Sequence, residues 1–267
     1  MNTGQVRLPA GGHLYYEISG AGPPLLLLRP LGGSLVLWDR LRARLAQEVR
    51  VVAFDPRGCG RSSEPALFTT TRGMARDAVA LLDALALPLM HVFGLSLGGM
   101  VAQWLALDAP GRVGGLVLAS TAARGLDLSR HGVVRGLRLA RCLLRSPRQA
   151  EACLVRRVLS HTFRREHPAE VARLAALAQA QPASRLGILA QAGAAASHDT
   201  HARLGALRAR TLVLLGARDG LLRHESIAAL AAAVPGARLE TLDGGHDLSL
   251  EAPEATAASI LAFLRRG

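Results

Sequence analysis

The chain has 267 residues, half of them hydrophobic, and its formal net charge of +12 rests on arginine alone, with no lysine. That much apolar surface excludes a disordered chain, and the length accommodates one large α/β domain, with or without an inserted subdomain, around a real core. The longest apolar runs are too short to span a bilayer, the opening MNTGQVRLPAGG lacks the apolar stretch of a secretory leader, and no basic block alternates with aromatics as a nucleic-acid groove requires.

Gln5–Leu8 and His13–Ser19 flank Pro-Ala-Gly-Gly and read as a hairpin. Leu25–Leu28 reads as a short buried strand, and Val49–Phe54 as a Val-rich one. Thr71–Leu85 carries apolar residues at helical spacing behind a threonine cluster able to cap it. His91–Phe93 and Leu116–Ala119 read as strands with a helix between them. From residue 123 to about 203 the strand signal stops. GVVRGLRLARCLLR, PRQAEACLVRRVLSHTF and PAEVARLAALAQAQ read as three amphipathic helices. Strands return at Thr211–Leu215 and Arg238–Leu242, with helices at Ser226–Val234 and Pro253–Leu264, the last opened by proline. Continuous apolar strands alternating with helices imply a parallel sheet covered on both faces. The expected organisation is a core from residues 1–122 and 204–267, with residues 123–203 inserted as a helical lid over the strands' carboxyl ends, where such sheets bind ligands.

Gly94-Leu95-Ser96-Leu97-Gly98 stands where a strand runs into a helix, the context that gives G-x-S-x-G its meaning. A Cβ at either flanking position would collide with backbone in so sharp a turn, and the serine would stand at a helix N-terminus that favours negative charge. A serine nucleophile needs a base, and the base an orienting acid. Asp219 follows one later strand and His246 the next, in the order Ser, Asp, His. As a single residue, Asp219 also reads as a turn residue before glycine, and His246 as a loop histidine. Asp55 belongs to a structural loop, and Asp243 and Asp247 are too near His246 in sequence to reach its far side. His91 reads as structural, and His131, His161, His167, His198 and His201 as surface residues of the inserted segment. The oxyanion donors are expected from the N–H of Leu97 and, because Pro30 has none, from Leu31, with Gly32 second.

These landmarks, together with Asp-Pro-Arg-Gly-x-Gly-Arg-Ser at 55–62, Gly216-x-x-Asp219 and Gly245-His246 followed by Glu251 and Pro253, resemble the α/β-hydrolase superfamily over nearly the whole chain. Residues 90–123 look most like its 3-oxoadipate enol-lactonase and cofactor-free haloperoxidase group. The resemblance implies an eight-stranded, mostly parallel sheet with a helical lid, and hydrolysis through an acyl-serine. Arg29-Pro30-Leu31-Gly32 departs from the His-Gly that many relatives carry before the oxyanion residue. Arg29 reads as a structural ion-pair partner or as an attractor of a substrate carboxylate, with Gly32 beside it as a second substrate-binding candidate.

The resulting expectation is a hydrolase of small esters or lactones that uses no metal or organic cofactor, inserts in no membrane and binds no nucleic acid. Perhydrolase, haloperoxidase or thioesterase action on the same triad, and a receptor that retains the fold without catalysis, are the alternatives. Cys59, Cys142 and Cys153 fit no zinc spacing. An odd count without a leader points to free thiols in a reducing, cytoplasmic compartment. Between residues 124 and 199, thirteen arginines stand against Asp127, Glu151, Glu166, Glu170 and Asp199, an excess read as scattered over helix surfaces.

Overall fold

The Leu- and Val-rich runs form strands close to the lengths their pattern predicts. In the computed structural model, which describes residues 2–66, 68–125, 137, 141, 142 and 144–266, eight strands make one sheet. They are β1 (Asn2–Arg7), β2 (His13–Ser19), β3 (Pro24–Leu28), β4 (Arg50–Phe54), β5 (Met90–Leu95), β6 (Val113–Ala119), β7 (Arg210–Gly216) and β8 (Arg238–Leu242). Their order is β1-β2-β4-β3-β5-β6-β7-β8. β2 pairs antiparallel with β1 and β4, and the pairs from β4 to β8 are all parallel.

Alternate residues of the central strands enter two separate cores, as the period of two requires. Leu26, Leu28, Val92, Leu116, Leu118 and Val213 pack on one face against α2 (Thr71–Ala84), α3 (Leu97–Asp108) and α8 (His224–Ala233). Leu25, Leu27, Phe93, Leu95, Val117 and Leu214 pack on the other, beneath α1 (Asp39–Leu45) and α9 (Pro253–Leu264). Continuous apolar strands were the sequence signature of this double coverage. The threonine cluster before α2 caps it as expected: the Thr70 side chain accepts from the Gly73 N–H at 3.0 Å.

Between β6 and β7 the described helices are α4 (Pro147–Val158), α5 (His161–Glu166), α6 (Pro168–Ala180) and α7 (Arg185–Ala196). Val155, Leu159, Val171 and Leu174 close on Leu37 and Leu250. Ala150, Ala183 and Ile188 close on Cys59 and Leu31. These contacts seat the helices on loops at the carboxyl ends of the strands. The helix expected over 132–145 lies mostly outside the described residues.

Three expectations need correction. The single helix read across 147–163 is two, because Leu159 turns extended and the Ser160 hydroxyl accepts from the Phe163 N–H at 3.1 Å to start α5. α7 was not foreseen, since its Ala- and Gly-rich run has no apolar stripe to announce it. Cys142 and Cys153 are disulfide-bonded, with Cα atoms 5.6 Å apart, a separation suited to a bridge that sequence spacing alone does not reveal. Only Cys59 is a free thiol among the described residues, so the odd cysteine count carries no argument about compartment.

Candidate active site

Ser96 sits between β5 and α3 at the centre of the sheet with φ +54° and ψ −117°, a conformation that side-chain-bearing residues rarely hold. Its N–H donates to Ala119 O at 2.9 Å, and the Thr121 hydroxyl donates to Ser96 O at 2.8 Å. The backbone is thus tied on both sides. The flanking glycines follow from the closeness of the turn. A Cβ on Gly94 would lie 2.4 Å from Gly98 O, and one on Gly98 would lie 2.0 Å from Leu28 O. α3 behind the serine is buried along most of its length, which fixes the turn to the core.

His246 Nε2 lies 2.8 Å from Ser96 Oγ, and Nδ1 lies 2.9 Å from Asp219 Oδ2. The other Asp219 oxygen accepts from the N–H groups of Leu221 and Leu222 at 2.8 and 3.0 Å. Burial pushes the Asp219 carboxyl up, but the charge and hydrogen bond of His246, with the two N–H donors, outweigh it and hold the group below the ordinary carboxylate range. An ionised Asp219 is an acceptor only, so it fixes the imidazole proton on Nδ1 and leaves Nε2 to accept from the serine.

The loops bearing acid and base are bound to each other. Ala217 N donates to Leu242 O and Arg218 N to Gly244 O, both at 2.8 Å. The approach is close enough that a Cβ on Gly216 would lie 2.1 Å from Gly245 O. Glu251 closes the His246 loop from below. Its carboxylate accepts from Gly245 N at 2.9 Å, from the Ser160 hydroxyl at 2.8 Å and from Ser160 N.

The residues expected to supply the oxyanion donors follow the ends of two adjacent strands, β5 and β3. Leu97 is the first residue of α3, where the helix's own ladder leaves the N–H unused. Leu31 follows β3, and its N–H has no backbone acceptor among the described residues. Gly32 does not serve as the second candidate: its N–H donates to Gln191 Oε1 at 2.9 Å. Gln191, on α7, also donates to Arg57 O and so ties the Leu31–Gly32 turn to the neighbouring loop. Sequence reasoning missed this glutamine because nothing distinguishes it within its helix.

Arg29 resolves towards the structural alternative. It is 4% exposed, its Nη2 is 3.4 Å from Asp247 Oδ2, and its guanidinium lies 4.3 Å from the Trp38 ring centre. These two contacts hold the guanidinium within the core. Asp55 is likewise structural, accepting from Leu35 N at 2.7 Å and Arg61 N at 2.9 Å. Asp243 pairs with Arg218 at 2.7 Å on the surface. His198, expected on the surface, is buried. Its Nδ1 is 2.9 Å from Thr71 Oγ1, and burial pulls its pKa down to about 4 against the opposing pull of Asp199. His161, His167 and His201 are exposed, and His131 lies outside the described residues. No cluster of three or more His, Cys, Asp or Glu suited to a metal occurs among the described residues.

Residues 23–253 match the family model described as alpha/beta hydrolase fold. The chain is 35% identical over 261 residues to "Putative carbamate hydrolase RutD" of Variovorax paradoxus, covering 95% of this chain and 96% of that protein. It is 28% identical to 3-oxoadipate enol-lactonase 2 of Acinetobacter baylyi, covering 91% and 89%. A crystal structure of a hydrolase from Pseudomonas aeruginosa superposes with a TM-score of 0.87 at 33% identity over 98% of both chains. A central serine at positive φ, a buried acid and base beyond later strands, and a family match over most of the sequence agree: the chain belongs to the alpha/beta hydrolase fold family.

Proposed function

We propose that this hydrolase cleaves carboxylic esters or lactones of small molecules through an acyl-serine on Ser96. The observation that carries the reading is the unbroken series Asp219–His246–Ser96, with contacts of 2.9 and 2.8 Å on a serine held at positive φ. His246 takes the hydroxyl proton as Ser96 Oγ attacks the carbonyl, and Asp219 stabilises the imidazolium. The N–H groups of Leu97 and Leu31 receive the tetrahedral oxyanion. His246 then protonates the leaving alkoxide, activates water on the acyl-enzyme and returns the proton to Ser96. Every part of this cycle is supplied by side chains and backbone, so it needs no metal or organic cofactor. Residues 123–203 act as the lid that shapes the acyl and alcohol pockets, over a core of 1–122 and 204–267. The aligned acid, base and nucleophile favour catalysis over a receptor that retains the fold without it.

The test is hydrolysis of short- and medium-chain p-nitrophenyl esters and simple lactones by the wild type beside Ser96→Ala. Turnover by the wild type, lost in the variant, supports the reading. Equal, feeble rates from both proteins overturn it.

A further inference from the structure

A cleft of about 370 Å³ opens beside the loop that carries Asp219. Gly220 and Leu221, which directly follow the acid, form one wall. Residues 157–162, at the junction of α4 and α5, form the other. That junction is itself bonded to the histidine loop, through Asp247 N to Val158 O at 3.3 Å and through Glu251, which holds both Ser160 and Gly245. The lining is basic: Arg157, Arg164, Arg218 and His161 contribute to it, and no carboxylate does.

The arginines are not consumed by structure. Arg157 has no ion-pair or hydrogen-bond partner among the described residues. Arg164 is steered by its Nε and Nη1, which donate to Ser160 O at 3.3 Å and Arg156 O at 3.2 Å. These are neutral acceptors that orient the guanidinium and leave its charge uncompensated. Arg218 is paired with Asp243 at 2.7 Å, but both are exposed, and such a pair exchanges readily with another anion. The nearby carboxylates are committed elsewhere, Asp219 to His246 and Glu251 to the loop closure.

We infer that this cleft receives an anionic oxygen group, carboxylate or phosphate, carried on the substrate, and that Arg157 and Arg164 select for it. Planar guanidinium forks match both groups. The inference rests on the ester-hydrolase reading above and gives it a substrate class: esters or lactones with a negative charge away from the scissile carbonyl. It also absorbs part of the arginine excess of the inserted segment, which surface scatter leaves without a role.

The experiment compares p-nitrophenyl butyrate with mono-p-nitrophenyl glutarate at fixed ionic strength, in the wild type, Arg157→Gln, Arg157→Lys and the Arg157→Gln/Arg164→Gln double variant. The wild type is expected to prefer the glutarate ester in kcat/KM. That preference, taken as a ratio, should fall roughly 10- to 100-fold in the double variant, chiefly through KM, since a hydrogen bond to a charged group is at stake. Arg157→Lys should keep part of it. Inhibition by glutarate against inorganic phosphate distinguishes the two anions. No anionic preference in the wild type, or an unchanged ratio in the double variant, overturns the inference while the hydrolase reading stands. If neither ester is turned over, the hydrolase reading fails, and calorimetric titration with glutarate and phosphate decides the cleft. Binding that weakens in the double variant supports it, and absent or unchanged binding overturns it.

Discussion

At the residue scale, the account depends on a proton path through three side chains. Ser96→Ala removes the nucleophile and is expected to lower kcat by three to six orders of magnitude, on the order of what a lost triad serine costs. Asp219→Asn keeps the size of the side chain but replaces the acceptor facing Nδ1 with a group that can favour the wrong tautomer. A kcat loss of about 10⁴-fold with little change in KM is expected. Activity must also fall in acid, because a protonated imidazole cannot accept from Ser96; a rate flat between about pH 5 and 8 contradicts a histidine base. The three residues that the structure brings together were legible in the sequence, since each stands just after an apolar strand and in a workable order. Arg29 was less so. Its sequence neighbours offered two roles, and only the Asp247 contact and the stacking on Trp38 separate them.

At the element scale, the strand–turn–helix around Ser96 is held by close backbone approach. Gly98→Ala would set a Cβ 2.0 Å from Leu28 O and 2.8 Å from Arg29 O. Backbone must move, so a large loss of both melting temperature and activity is expected, and a variant as stable and active as the wild type would refute the packing described here. Gln191→Ala tests the hold of α7 on the Leu31–Gly32 turn. It leaves a buried Gly32 N–H unmatched, at a cost of about 1–3 kcal/mol in denaturant unfolding, with kcat falling more than KM rises. The strands and most helices could be read from periodicity because one or both of their faces are buried in a regular pattern. α7 could not be, because an Ala- and Gly-rich helix has no contrast between faces. Nor could the break at Leu159, where a serine cap overrides a continuous amphipathic run, or the Cys142–Cys153 bridge, which depends on how the segments meet in space.

At the scale of the whole molecule, the helices between β6 and β7 share ionisable groups with the core, and stability should report their docking. Glu151 on α4 is 3% exposed. Burial raises its pKa to about 7, against the Ala183 N–H and the charge of Arg29. The folded protein therefore keeps a proton on Glu151 that the unfolded chain releases near its ordinary value of 4.5. The folded state binds the extra proton between those two values, so this group's contribution to stability is full below about pH 4.5 and declines as the pH rises to about 7. Unfolding free energies across that window should show a decline of order 3 kcal/mol that Glu151→Gln removes. A wild type and variant with parallel profiles would contradict the burial of that carboxyl. The central claim, a nucleophilic Ser96 driven by His246, is tested most directly by reacting the full chain with a fluorophosphonate and locating the adduct by peptide mass mapping. The account predicts one adduct, on the peptide that contains Ser96, absent in Ser96→Ala and strongly slowed in His246→Ala. No adduct on the folded wild type, or the same labelling in Ser96→Ala, would contradict it.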